Sequence, residues 1–181
     1  MAKVFVAIGS NIDPDENVRS ALHMLAEEFD VDAISPIYLT EPLGRPGQPV
    51  FYNGVIEMTT DLPATEVKQA LRLIENELGR RRSSDKYAAR TVDLDILVYD
   101  RDVIEALGIP DREICNRAFL SIPLYELTPD LVLPGSNEPL KDIALRHAKH
   151  SMTPLIEYTA QLRKDVKDWI VKRLKGSCEN C

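Results

Sequence analysis

The stretch Thr91–Tyr99 (TVDLDILVY) constrains the fold more than any other part of the chain. Val92, Leu94, Ile96 and Val98 recur every second residue, so the spacing predicts a β-strand with these four on one face. Thr91, Asp93 and Asp95 then share the other face. Two carboxylates two residues apart on a strand stand roughly 6 to 7 Å apart at the backbone. Held about 5 Å apart at an effective dielectric near 20, they repel by about 3 kcal/mol. A divalent cation between them reverses that sign, and hard oxygen ligands suit magnesium.

Directly upstream, Gly79–Arg90 carries Arg80, Arg81, Arg82, Lys86 and Arg90 against the single Asp85, inside a chain of formal charge −7. Guanidinium forks beside a carboxylate pair are what a magnesium-bound polyphosphate requires. A solvated basic loop next to two exposed acids has the same local composition, so the rest of the chain has to decide between them.

The remaining pattern supplies a frame. Lys3–Ile8 is a short apolar run typical of a central strand. After the turn Gly9-Ser10-Asn11, Asp13, Pro14 and Glu16 predict a helix start with Asp13 as N-cap, followed by an apolar stripe from Val18 to Phe29. Val31–Leu39, notched by Pro36, reads as an edge strand. Thr40–Val50 holds three prolines and two glycines and reads as a loop with no regular structure, of the kind that serves as a lid. Phe51–Thr60 is a third strand, with Phe51, Asn53 and Val55 on one side. Pro63 opens a second helix that Gly79 closes.

The order β-α-β-β-α-β predicts an α+β, ferredoxin-like sandwich with both helices on one face of an antiparallel sheet. Additional C-terminal elements follow. Asn116 caps a short helix that Pro123 should stop, and Thr153-Pro154 should open a longer one striped by Leu155, Leu162, Val166, Trp169, Ile170 and Leu174. The expected organisation is one domain over residues 1–139 and a helical extension over 140–181 packed on it.

A content of 44% hydrophobic and 28% charged residues is enough to build one sizeable core at 181 residues. The acidic pI near 5.0 argues against general nucleic-acid binding. With no charged-then-apolar leader and no eighteen-residue apolar run, the expectation is a soluble, cytoplasmic protein. Three cysteines do not make a secreted disulfide framework, and the terminal C-x-x-C lacks a second ligand pair. Walker A, G-x-G-x-x-G and G-x-S-x-G motifs are absent from the sequence. His147 and His150 are expected at the surface. Phosphoryl-type transfer needs positioning and charge neutralisation rather than a protein nucleophile, so none of these absences argues against it.

Ordered words along the chain then match a known family. They are Ala7-Ile8-Gly9-Ser10-Asn11, Tyr38-x-Thr40-x-Pro42-Leu43-Gly44 and Gln48-Pro49-x-Phe51-x-Asn53. Glu75-x3-Gly79-Arg80-x-Arg82, Arg90-Thr91-Val92-Asp93-Leu94-Asp95-Ile96 and Asn116-Arg117-x-Phe119 follow, with a closing segment from Pro123 to Leu131. Over Lys3 to about Leu133 the chain resembles 6-hydroxymethyl-7,8-dihydropterin pyrophosphokinase, an enzyme of folate biosynthesis. The resemblance implies transfer of the β,γ-pyrophosphoryl group of ATP to the pterin hydroxymethyl, leaving AMP, with two magnesium ions on Asp93 and Asp95.

It further implies that Arg80, Arg82, Arg90 and Arg117 contact the polyphosphate, the first three acting in catalysis, and that Glu75 and Ile96 lie nearer the nucleoside. Phe51 and Phe119 would sandwich the pterin, with Thr40, Pro42, Leu43 and Asn53 at its edge. Stacking on a flat heteroaromatic and fixed donors at its amide-like edge are sensible chemistry for those types. Three loops, following Gly9-Ser10-Asn11, over Glu41–Phe51 and over Arg80–Arg90, would close on the site.

Departures cluster. Asp111-Arg112 stands where the family usually has His-Tyr, Tyr87 where many relatives have Trp, and Arg72 where Gln is common. An acid beside a polyphosphate predicts weaker ATP binding than is typical unless Arg112 compensates, and an Asp111→His variant should tighten it. Two other readings compete. The same element order serves RNA-recognition domains, but the R-G-F/Y-G-F pattern is missing. A family-like enzyme with a different pterin acceptor or reduced activity is the other.

Overall fold

The computed structural model describes residues 1–42, 47–81 and 88–178, without the side chains of 177 and 178. Its centre is β1 (Ala2–Ser10), the apolar run. β1 pairs antiparallel with β5 (Asp93–Tyr99) on one side and β4 (Phe51–Thr60) on the other. The far edge of β4 is shared by β2 (Asp30–Ile34) and β3 (Tyr38–Thr40), and β6 (Thr153–Pro154) adds to β3. The sheet order is β5-β1-β4-β3-β6, with β2 also on β4, and every pairing is antiparallel.

Among the described residues, five α-helices cover this sheet from both sides. On one face α1 (Pro14–Glu28) and α2 (Ala64–Glu77) bury Val18, Leu22, Leu25, Val67 and Leu71 against Val4, Val6, Ile8, Ile56 and Met58. The long α5 (Ile156–Cys178) joins that layer through Leu162 and Val166. On the opposite face α3 (Ala118–Leu127) and α4 (Leu140–His147) pack Leu120, Leu124, Leu140 and Ile143 on Phe5, Val55, Leu97 and Val98. β1 is therefore apolar on both sides because both sides are covered.

Several local expectations need correction. Asp13 is left-handed (φ 40°) and makes no side-chain cap; Asn17 Nδ2 instead donates to Ile12 O at 2.7 Å. Aspartate is one of the few residues whose short polar side chain tolerates that region. The predicted strand Val31–Leu39 breaks at Ser35-Pro36-Ile37 into β2 and β3. On β5 the pairing skips Leu97, so this bulge sends Val98 to the Leu97 side, away from Leu94 and Ile96. Pro123 lies inside α3 instead of ending it; the missing N–H costs one helical bond, and its burial holds the turn in place. Thr153-Pro154 is a strand, and α5 begins at Ile156. His147 is buried, with Nδ1 2.7 Å from Ser121 Oγ, while His150 is exposed. Leu174 stays largely exposed and so leaves the expected stripe.

Candidate active site

Where α3 and α4 stop covering the sheet, Ala7, Gly9, Asn53, Asp93 and Asp95 face a cleft of about 260 Å³. Register explains how they meet. Gly9 is paired with Asp93 on one side and Asn53 on the other; Ala7 is flanked by Asp95 and Val55. Two strand spacings, roughly 10 Å, thus separate the acids from Asn53. Small residues on the intervening strand leave the floor open. A Cβ on Gly9 would stand 2.7 Å from Asn53 Oδ1, so only glycine lets the Asn53 amide lie across β1.

The Asn53 end is built from neutral groups. Asn53 Nδ2 donates to Thr40 Oγ1 at 2.6 Å, and both residues are buried. Phe51 and Phe119 are half-buried and line the same cleft, one from β4 and one from α3. The Arg90 guanidinium lies 5.8 Å from the Phe51 ring centre, and that of Arg117 lies 5.6 Å from Phe119. Arg117 is also ion-paired with Glu113.

The acid end is a charge network. Asp93 is ion-paired through one oxygen with Arg80 and through the other with Arg90. Arg80 also pairs with Glu75, whose Oε1 accepts the Leu94 N–H at 2.8 Å. Asp95 is exposed to the cleft, with protein crowding it on the other sides. That partial loss of solvent, with the carboxylates of Asp93, Glu75 and Asp111 adding to it, pushes its pKa up to about 6 against the pull of Arg80. Burial likewise raises Asp111, which lines the cleft and accepts the Glu113 N–H at 2.8 Å. Arg112 is exposed and does not line the cleft. Among the described residues no three His, Cys, Asp or Glu side chains converge as a metal cage.

One residue joins the surrounding loops. Asn11, almost fully buried, accepts the Arg90 N–H at 2.8 Å through Oδ1, and its own N–H donates to Arg90 O at 3.2 Å. Its Nδ2 donates to Pro49 O at 3.3 Å and meets Gln48 Oε1 at 3.5 Å. Three separate segments are thereby tied at one side chain.

Of the residues singled out from sequence, Thr40, Phe51, Asn53, Arg90, Asp93, Asp95, Arg117 and Phe119 line this one cleft. Arg80 stands behind it on Asp93. Glu75 and Ile96 do not line it: Glu75 is buried under β5, and Ile96 points into the α1–α2 core by the alternation opposite Asp95. Pro42 is half-buried at the rim without lining the cleft. Leu43, Arg82 and Tyr87 lie outside the described residues, as does Cys181. Gly9, Asn11, Gln48 and Glu113 were not singled out as site residues. For the first two the signal was the Gly9-Ser10-Asn11 word; for Glu113 only its i, i+4 spacing to Arg117.

Residues 5–129 match the family described as 7,8-dihydro-6-hydroxymethylpterin-pyrophosphokinase (HPPK). The chain belongs to the HPPK family. Relatives named 2-amino-4-hydroxy-6-hydroxymethyldihydropteridine pyrophosphokinase include one from Haemophilus influenzae, 36% identical over 86% of this chain and 99% of the relative. One from Pseudomonas aeruginosa is 39% identical over 73% of this chain and 84% of the relative. Among solved structures, the Plasmodium falciparum HPPK-DHPS wild type with pteroate superposes with a TM-score of 0.65 at 12% identity, over 81% of this chain and 42% of that one. The chain spans less than half the length of such solved proteins, and at that identity the likeness concerns the fold. β6 and α5 lie beyond residues 5–129.

Proposed function

We propose that this HPPK-family chain transfers the β,γ-pyrophosphoryl group of ATP to the hydroxymethyl of 6-hydroxymethyl-7,8-dihydropterin, releasing AMP. The observation that carries this reading is the meeting of Asp93, Asp95, Asn53, Phe51 and Phe119 in one cleft with Arg90 and Arg117. Asn53 and Thr40 bind the amide-like pterin edge, and Phe51 and Phe119 take its faces. Arg80, Arg90 and Arg117 hold the polyphosphate, Glu75 orients Arg80, and Arg82 and Leu43 join from the segments outside the described residues.

Asp93 and Asp95, hard carboxylate oxygens facing the cleft, would hold magnesium as a carboxylate pair. Bound there, magnesium supplies neutralisation of phosphate charge and polarisation of the phosphoryl oxygens. The hydroxymethyl oxygen attacks the β-phosphorus in line, the bond from that phosphorus to the α-phosphate oxygen breaks, and AMP leaves with the electron pair. The hydroxyl proton passes to solvent. Positioning and charge carry the catalysis.

The order β1-α1-β2-β3-β4-α2-β5, which is β-α-β-β-α-β when β2 and β3 are counted as the two halves of one broken strand, supports a ferredoxin-like assignment for residues 1–139, with 140–181 as an extension. The substrates are small molecules, and no helix of the described residues is long and apolar enough to cross a membrane. The test is AMP release monitored with ATP, magnesium and 6-hydroxymethyl-7,8-dihydropterin. Pterin-dependent AMP with a pyrophosphorylated pterin by mass spectrometry is expected; ADP as product, or AMP independent of pterin, would remove the assignment.

A further inference from the structure

The break between β2 and β3 is where the chain turns toward the cleft, and its backbone bonds come largely from α5. Ile37 N donates to Thr159 Oγ1 at 2.9 Å, and Leu155 N donates to Ile37 O at 2.8 Å. Arg163 donates Nε and Nη2 to Ile34 O at 3.0 and 2.7 Å. Thr159 and Ile37 are both buried. From the sheet side, Ser35 Oγ accepts the Val55 N–H at 2.9 Å and donates to Pro36 O at 2.9 Å. The Ile37 side chain seats over Gly54, where its Cδ1 would lie 2.6 Å from any added Cβ. Gly54 is the neighbour of Asn53, and three residues after Ile37 comes Thr40, the acceptor for the Asn53 amide.

We propose that the entry into α5, through Leu155 just before it and Thr159 and Arg163 in its first turns, is a positioning element for the pterin edge. It fixes the Ser35-Pro36-Ile37 kink so that β3 delivers Thr40 to Asn53. The inference rests on the pterin reading above, but Leu155, Thr159 and Arg163 lie outside residues 5–129. Without Thr159 Oγ1 the buried Ile37 N–H has no acceptor, and β3 must shift to find one. Such a shift moves Thr40, and with it the donors and acceptors at the pterin edge. The polyphosphate end, anchored on β5 and α2, stays where it is.

The experiment is calorimetric titration of 6-hydroxymethylpterin and, separately, of ATP with magnesium into the full chain carrying Thr159→Val, Thr159→Ser or Arg163→Met. Thr159→Val should weaken pterin binding about fivefold or more while leaving the ATP Kd unchanged, and Thr159→Ser should restore it. Arg163→Met, which keeps the Ile37 bonds and so guards against a misfolded valine variant, should act in the same direction by less. Equal losses for both ligands, or pterin affinity unchanged in the Val and Met variants, would overturn the inference alone. A wild-type chain that binds ATP but no pterin would instead retract the pterin reading, and this inference with it.

Discussion

The two ends of the cleft are built on opposite principles. At the Asn53 end the polar groups are neutral, buried and already bonded to one another, and the bare Cα of Gly9 leaves the space they need. At the Asp93 end the groups are charged, and guanidinium and carboxylate neutralise each other across Arg80, Arg90, Asp93 and Glu75. On the function proposed above, the first end would be pre-formed for a flat uncharged ring. On the same reading, the second would have to exchange partners, because the arginines paired with Asp93 would turn to phosphate and a cation would take their place. The contrast teaches that, on that reading, the ring would be recognised by fixed geometry and the nucleotide tail by charge re-pairing.

Breaking the charged end should have the largest effect. Asp93→Asn or Asp95→Asn is expected to lower kcat by about 10³-fold or more, since the neutral amide does not hold the cations that offset phosphate charge. Circular dichroism of either variant should match the wild type. Steady-state AMP release is the measurement; turnover retained within about tenfold would take that residue out of the cation site.

Much of this contrast was legible in the chain because it depends on local alternation. Asp93 and Asp95 share a face by period two, and so do Phe51, Asn53 and Val55, and a sheet brings matching faces together. The misreadings fall where a long-range contact overrides a local rule. The bulge at Leu97 moves Val98 to the other face so that β5 can follow β1. Pro123 is carried inside α3 by burial against the sheet, and Thr153-Pro154 becomes a strand because the β3 edge offers it bonds. The resemblance places Glu75 near the nucleoside; its bond to Leu94 N, nineteen residues away, adds a structural part that has no counterpart in spacing or composition.

Breaking the neutral end should cost less and be selective. Asn53→Ala removes the amide that Thr40 holds and should weaken pterin binding by about ten- to a hundredfold, with ATP affinity kept. Fluorescence titration with 6-hydroxymethylpterin reads it, and a comparable loss toward ATP would mean that the two ends are not separable. Asn11 sharpens the comparison from the loops, as it ties the Arg90 segment to Gln48-Pro49. Asn11→Ala should lower kcat/KM by about tenfold through misplacement of Arg90, with a smaller change in pterin affinity than Asn53→Ala. An unchanged kcat/KM would show that the loops find their places without it.

The smallest effect is one of pH, and it separates the ends without touching the substrate. Asp95 has its pKa pushed up to about 6 in the folded protein by burial and by its neighbouring carboxylates, against about 3.9 in an unfolded chain. The folded state therefore holds this proton more tightly. Its stabilising contribution is complete below about pH 4 and is lost as pH rises through about 6, since above that pH the ionised carboxyl is less comfortable folded than unfolded. Asp95→Asn removes the titration. In the absence of divalent ions its Tm should equal that of the wild type near pH 4, exceed it by a growing margin up to about pH 6, and run parallel above. Magnesium with ATP should reverse the ranking at pH 8, because only the wild-type carboxylate gains from the cation. A Tm difference that stays constant from pH 4 to 8 would mean that Asp95 is not held under charge stress, and the contrast between a pre-formed end and a re-pairing end would lose its electrostatic half.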